Sequence, residues 1–191
     1  MARLILASSS PRRKELLEQV GLSFDVYSPD IDESVFINEQ IEQYVERLAR
    51  QKAQAVLSQF PDATVIAADT SLVFNQQIMG KPESKQHAFE IWTQLSGREH
   101  AVLSGVCVAN AQHSITTVVR TQVEFQVLSH QMMEDYWATG EPIGKAGGYA
   151  IQGYAAQWIP RIDGSYSNVV GLPLHETLAL LKQLNEYSEY A

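Results

Sequence analysis

The chain has a single cysteine among 191 residues, Cys107. An intrachain disulfide framework is therefore excluded, and Cys107, inside Val106-Cys107-Val108, reads as a small buried hydrophobe. No apolar run approaches the roughly 18 residues of a membrane helix. The apolar start Leu4-Ile5-Leu6-Ala7 meets serines at once and is too short for a secretory signal, so the expected setting is the cytoplasm. Positive charge is also scarce: 14 Lys and Arg against 22 Asp and Glu leave a net charge of -8. A protein that grips long nucleic acid needs a basic stripe, and this balance argues against one, although a small anion in a local basic pocket remains compatible with it. The five histidines (His87, His100, His113, His130 and His175) are scattered and show no zinc spacing. Neither a Gly-x-Ser-x-Gly elbow nor a Gly-x-x-x-x-Gly-Lys-[Ser/Thr] loop occurs. There is no internal repeat and no low-complexity linker.

What is present is ordinary globular composition, 45% hydrophobic and 19% charged. Its length suits one domain of two lobes, or two small domains sharing a core. Strands are expected at Leu4 to Ala7, Phe24 to Ser28, Thr64 to Ala68 and Trp158 to Ile162. Hairpins are expected over Ser71 to Met79, around Asn75-Gln76, and over His100 to Ala109 with Ser114 to Gln126. Helices follow Ser10-Pro11, run from about Glu39 to Gln59 with Asn38 as a cap, then from Ser84 to Leu95, from Ser129 to Thr139, and from Pro173 to near Leu184. Early alternation of strand and helix with later hairpins predicts an α/β fold, a mixed twisted central sheet with flanking helices.

Five stretches carry chemistry. Ser8-Ser9-Ser10-Pro11-Arg12-Arg13-Lys14 places three hydroxyls and three cations at a strand–loop–helix junction. Helix starts favour anions, and Arg12 and Arg13 can fork onto phosphate oxygens. Cations there oppose the helix dipole, so stability alone does not select them. On the helix from Glu39, a 100° wheel clusters Ile41, Val45, Leu48, Ala55 and Val56 on one face, with Lys52 in its middle and Arg47 and Arg50 opposite. A lysine there either snorkels to the edge or points into a pocket, toward phosphate or a carboxylate. In Ala67-Ala68-Asp69-Thr70 an acid follows a buried strand at its carboxyl end, where ligands of α/β sheets collect. Asp69 there is either a general base or metal ligand or a turn-former. It gains weight if it faces Asp32 or Glu33 of the acidic loop Asp30 to Ser34, since gathered carboxylates suit Mg²⁺ or Mn²⁺. Lys81, in Gly80-Lys81-Pro82, either reaches a phosphate or sits on the surface. The Gly-rich loop Gly144 to Gly153 permits close approach of a ligand, and Gln152 has the donor and acceptor that a nucleobase edge needs.

Taken together, these segments resemble the Maf family of nucleoside triphosphate pyrophosphatases. The matching pieces run in order along almost the whole chain: Leu6-Ala7-Ser8-Ser9-Ser10-Pro11-Arg12-Arg13, Ala68-Asp69-Thr70, Gly80-Lys81-Pro82, Leu95-Ser96-Gly97, Lys145-Ala146-Gly147, Tyr149, Ile151-Gln152-Gly153 and Gly171-Leu172-Pro173. The resemblance implies a single Maf-like domain over residues 1–191, two lobes around a cleft, a divalent metal (Mg²⁺ or Mn²⁺), and a homodimer. It implies hydrolysis of a nucleoside triphosphate to the monophosphate and pyrophosphate, and Ile151-Gln152-Gly153 looks like the branch acting on dTTP and UTP rather than 7-methyl-GTP. By position, Asp69 is the catalytic acceptor with Lys52 and Glu33 beside it. Asp69 and Glu33 hold the metal, Ser8, Arg13 and Lys81 line the phosphate site, and Arg12, Thr70 and Gln152 set substrate choice. Ala155 departs from the pattern, where glycine or another small residue is expected. A competing reading is a nucleotide-binding regulator of septum formation and cell division that does not turn its ligand over.

Overall fold

The structure is a computed structural model that describes residues 3–189. Seven strands, β1 (Leu4–Leu6), β2 (Asp25–Val26), β3 (Thr64–Phe74), β4 (Gln77–Met79), β5 (Glu99–Ala109), β6 (Ser114–Glu124) and β7 (Arg161–Asp163), form one sheet in the order β2-β1-β3-β5-β6-β7, with β4 paired to β3. The sheet is mixed, as expected: β1 runs parallel to β2 and β3, whereas β3–β4 and β6–β7 are antiparallel. Among the described residues six α-helices accompany it, α1 (Pro11–Gln19), α2 (Ile41–Gln59), α3 (Lys85–Leu95), α4 (His130–Ala138), α5 (Tyr166–Val170) and α6 (Leu174–Glu189).

The chain divides into two compact units. The first comprises residues 3–70, Ser104–Val119 and residues 171–189. Its core joins one face of α2 (Ala49, Ala53, Val56, Leu57) to Ile5, Val65, Ala67 and Cys107 on the strands. Cys107 is fully buried, as its apolar neighbours predict. Helix α2 lies hard against the sheet at Gly105: a Cβ there would come within 2.3 Å of the Val45 carbonyl oxygen. Only glycine allows that approach. The second unit, Ser71–Leu103 and Arg120–Val170, is aromatic at its centre. Trp92, Tyr136 and Trp158 are fully buried and pack on one another with centroids 4.6 to 5.6 Å apart. Ala155, the position that departs from the family pattern, is buried in the same cluster.

Several boundaries differ from the sequence-based expectation. Strand β3 does not stop at Ala68 but runs through Asp69 and Thr70 to Phe74, because Leu72-Val73-Phe74 pair with β4 across the turn at Asn75 (φ 48°) and Gln76 (φ 63°). Asp69 therefore sits inside a strand rather than after one. Asn38 does not cap α2. It adopts φ 60°, and Gln40 and Gln43 form the capping box instead. Ser10 precedes α1 but makes no side-chain cap. The buried stripe of α2 holds Tyr44, Ala49 and Ala53, whereas Ile41 and Ala55 lie at its edges. The strand expected from Trp158 begins only at Arg161, since Pro160 has no N–H for a ladder, and Tyr154–Trp158 form a 3₁₀ turn. The strand expected over Phe24 to Ser28 contracts to two residues.

Candidate active site

In the first unit the lysine of α2 and the acid of β3 meet. Lys52 Nζ donates to Asp69 Oδ1 at 2.7 Å and lies 2.7 Å from Glu33 Oε1 in the acidic loop. Lys52 and Asp69 are 8% and 9% exposed, while the Glu33 side chain is half exposed. A lysine at the middle of an apolar stripe is thus paired in the interior, which accounts for its burial. One ammonium holds two carboxylates, one from the rigid sheet and one from a loop.

The loop is tied to α2 by two residues with no part in the sequence-based site. Tyr44 Oη donates to the Glu33 carbonyl at 2.9 Å. Burial first, then the charges of Asp69 and Glu33, push the Tyr44 phenol up to about 12, so it remains a donor at neutral pH. Arg47 donates to both carboxylate oxygens of Glu39 (2.6 and 2.8 Å) and to the Ser34 carbonyl (2.9 Å), and its guanidinium covers the Phe36 ring at 3.9 Å. Tyr44 shares the buried face of α2 with Lys52. That polar-tipped aromatic was the sequence signal for its role.

The basic junction folds around Arg13. Its Nε donates to the Gly171 carbonyl (2.8 Å), Nη1 to Ser8 Oγ (3.1 Å) and Nη2 to Thr70 Oγ1 (3.1 Å). Burial lowers its pKa, with the Asp69 charge opposing and Arg12 adding to the fall, but a guanidinium stays charged regardless. Ser8 Oγ also accepts the Ser10 N–H at 3.2 Å, so Ser8 rather than Ser10 organises this turn. Thr70 Oγ1 further contacts Ser104 Oγ (2.8 Å) and donates to the Gly171 carbonyl (3.1 Å). Arg13 and Thr70 are therefore a bonded hub joining β1, β3, β5 and the segment before α6. Arg12 stands next to this hub and is half-buried. Ser104 and the Gly171 carbonyl were missed. A serine inside the apolar run Ala101 to Val108 was the available hint.

Of the sequence-based residues, Ser8, Arg12, Arg13, Glu33, Lys52, Asp69 and Thr70 fall in this first unit, and Lys81 and Gln152 belong to the second. Lys81 is exposed after β4, and the carbonyl of its neighbour Gly80 accepts the Gly147 N–H at 3.0 Å. Trp92 Nε1 holds the Gly147 carbonyl at 3.1 Å. The loops bearing Lys81 and Gln152 are thereby fastened together within that unit. Gln152 is exposed on a turn closed by Gly153 N–H to the Ala150 carbonyl at 3.1 Å. Among the described residues no group of three or more His, Cys, Asp or Glu side chains gathers as a metal cage.

The sequence model of the Maf-like proteins matches residues 3–184. The chain belongs to the Maf family. Among its Maf relatives, a protein of Acinetobacter baylyi named dTTP/UTP pyrophosphatase is 65% identical over 185 residues, covering 96% of this chain and all of that protein. One of Myxococcus xanthus with the same name is 49% identical over 180 residues, covering 94% of this chain and 91% of that protein. The solved structure of the Staphylococcus aureus Ham1 protein superposes with a TM-score of 0.55 at 15% identity, over 97% of this chain and 99% of that one. That likeness is one of fold, a mixed sheet flanked by helices. No helix among the described residues is long and apolar enough to cross a membrane.

Proposed function

We propose that this protein hydrolyses dTTP and UTP to the nucleoside monophosphate and pyrophosphate. The observation that carries the reading is the buried Lys52–Asp69 pair with Glu33 on the same ammonium, in a Maf chain whose relatives bear that activity as their name. A structural ion pair gains little from a third, half-exposed carboxylate. A site for a polyanion with its counter-ion gains from all three.

The reaction is direct attack of water on phosphorus, with no covalent intermediate. Asp69 Oδ1 is held by Lys52, and Oδ2 remains to orient the water and take its proton as the new P–O bond forms and pyrophosphate departs. Lys52 fixes the orientation of the carboxylate. Arg12, Arg13, Lys81 and Ser8 bind the triphosphate and stabilise the charge that develops, Arg13 with the N–H groups its three protein bonds leave. Gln152 reads the base edge, with Arg12 and Thr70 contributing to substrate choice.

A divalent cation is part of this proposal. Asp69 and Glu33 engage one nitrogen at 2.7 Å each, so their oxygens lie no further apart than twice that distance. Mg²⁺ bound with a nucleotide needs one or two carboxylates, its other ligands being water and phosphate oxygens. The donor set therefore fits a cation that arrives with substrate. When bound, such a cation neutralises phosphate charge. The reading includes a cytoplasmic setting and a homodimer, the latter checked by sedimentation. The test of function is pyrophosphate release from a panel of ribo- and deoxynucleoside triphosphates, with and without Mg²⁺ or Mn²⁺. Release from dTTP and UTP ahead of purine nucleotides is expected, and release from none of them overturns the proposal.

A further inference from the structure

In the second unit, the turn that carries Gln152 has both of its feet held by one carboxylate–phenol pair. Tyr136, fully buried on α4, donates its hydroxyl proton to Glu141 Oε1 at 2.7 Å and accepts the Ala150 N–H at 3.1 Å. Glu141 Oε2 accepts the Tyr154 N–H at 2.9 Å. Ala150 and Tyr154 flank Ile151-Gln152-Gly153, and the Ala150–Gly153 bond closes the turn between them. Gly153 completes the fit, because a Cβ at that position would lie 2.1 Å from Glu141 Oε2. A side chain at 153 would push that carboxylate off the Tyr154 N–H.

The pair is itself rigidly seated. The Tyr136 ring packs on Trp158 (4.6 Å) and Trp92 (5.3 Å), and Tyr154 stacks over it at 5.9 Å. Lys145 Nζ donates to the Glu141 carbonyl, and the Glu141 N–H donates to Thr139 Oγ1 at 3.1 Å. Burial, then the bond to Glu141, raises the Tyr136 phenol, so it stays protonated and keeps donating. Upstream, Tyr149 is anchored to His100 Nε2 at 2.7 Å. Gln152 is exposed at the tip of a turn held by buried Tyr136 and half-buried Glu141.

We propose that Tyr136 and Glu141 are positioning residues for nucleobase choice, acting through the Gln152 turn. This rests on the reading of Gln152 as the residue that meets the base. A side chain that discriminates by hydrogen bonds needs its backbone fixed, since small displacements forfeit the bond. Neither residue touches the phosphates in this scheme, so they act on KM and on preference rather than on the chemical step.

The test compares Tyr136→Phe and Glu141→Gln with the unsubstituted full chain. Tyr136→Phe removes, at the cost of one oxygen atom, both the acceptor of the Ala150 N–H and the donor to Glu141, the support of the other foot. Glu141→Gln keeps size and replaces one of the two acceptors with a donor, so that the Tyr136 O–H and the Tyr154 N–H can no longer both be accepted. For each, KM for dTTP and UTP should rise roughly five- to tenfold, the scale of a lost hydrogen bond, with a smaller change in kcat and a reduced preference over purine triphosphates. The amides of Ala150 and Tyr154 should exchange faster with deuterium. In a Gln152→Ala background, Tyr136→Phe should add less than about twofold to KM. Equal loss of kcat on every nucleotide, or an unchanged effect in the Gln152→Ala background, overturns the positioning role. Should Gln152→Ala itself leave base preference intact, the reading of Gln152 falls and this proposal with it. An effect of Gln152→Ala with both other variants silent overturns this proposal alone.

Discussion

Lys52 and Asp69 are a buried ion pair, 2.7 Å apart, joining the inner face of α2 to the middle of β3. Each is anchored on a regular element, so the pair is preorganised, and only Glu33 of the three charges rides on a loop. Asp69→Asn removes the proton acceptor while keeping shape. Turnover should fall at least ~100-fold, the usual scale of acid–base assistance, with the fold retained because Lys52 keeps Glu33. Steady-state pyrophosphate release from UTP measures this, and a fully active variant would remove Asp69 from the chemistry.

Lys52→Met should abolish most activity and also weaken the fold. Methionine fits the apolar stripe, but it leaves Asp69 as a buried carboxylate without its cation, a loss of about 3 kcal/mol on the scale of broken buried pairs. The double variant Lys52→Met with Asp69→Asn should recover most of that stability and none of the activity. Urea unfolding of the four proteins completes the cycle. Equal stability of the single and double variants would mean that Asp69 does not depend on Lys52.

Lys52 was legible in the sequence because helical periodicity is local: a wheel over 19 residues places it on the buried face without any knowledge of the sheet. Asp69 was legible as an acid in an apolar run, although its strand was cut short, since nothing local shows that β4 will extend the pairing past Thr70. The basic junction pointed to Ser8 and Arg13 and the family pattern added Thr70, yet neither shows that Ser8 and Thr70 both bond Arg13, or that Arg13 and Thr70 share the Gly171 carbonyl, 101 residues from Thr70. The bonds of Tyr44 and Arg47 to the acidic loop were out of reach for the same reason. They depend on how a loop without regular pattern folds back on α2.

That fold-back has consequences for catalysis. Tyr44→Phe removes the bond to the Glu33 carbonyl, and Arg47→Lys breaks the forked contact with Glu39 that an ammonium cannot reproduce. Each should lower kcat on UTP by roughly three- to tenfold, one or two hydrogen bonds' worth of positioning, and raise the Mg²⁺ concentration needed for half-maximal rate. Stability should change little for Arg47→Lys at this partly exposed site. A metal titration indistinguishable from that of the unsubstituted protein would separate the loop's tethering from the role of Glu33.

Gly105→Ala tests how α2 is seated. The added methyl would meet the Val45 carbonyl and the backbone beside it at 2.3 to 2.7 Å, and neither is a flexible side-chain end that could swing away. Helix α2 must shift outward, at a cost of about 1 to 3 kcal/mol typical of overpacking, and Lys52 shifts with it. A lower midpoint of thermal unfolding together with a fall in turnover is expected. Loss of stability with full turnover would mean that the Lys52–Asp69 contact tolerates the displacement.

The second unit contains an acid-sensitive group far in sequence from the catalytic charges. His100 is 3% exposed, its Nε2 bonded to Tyr149 and its Nδ1 without a partner, and burial pushes its pKa down to about 3. In the unfolded chain a histidine takes up its proton near 6.5. Between those values the unfolded state binds the extra proton, so stability is fully present above pH 6.5 and is lost as pH falls toward 3. This one group contributes a slope of up to about 1.4 kcal/mol per pH unit, on the order of 2 kcal/mol between pH 6.5 and 5. Urea unfolding at pH 7 and pH 5 should show that loss in the native chain and a correspondingly shallower dependence in His100→Asn, which has no proton to gain. The same pH dependence in both proteins would show that His100 is protonated without penalty in the folded state, contrary to the enclosure that Phe125 and Tyr149 give it.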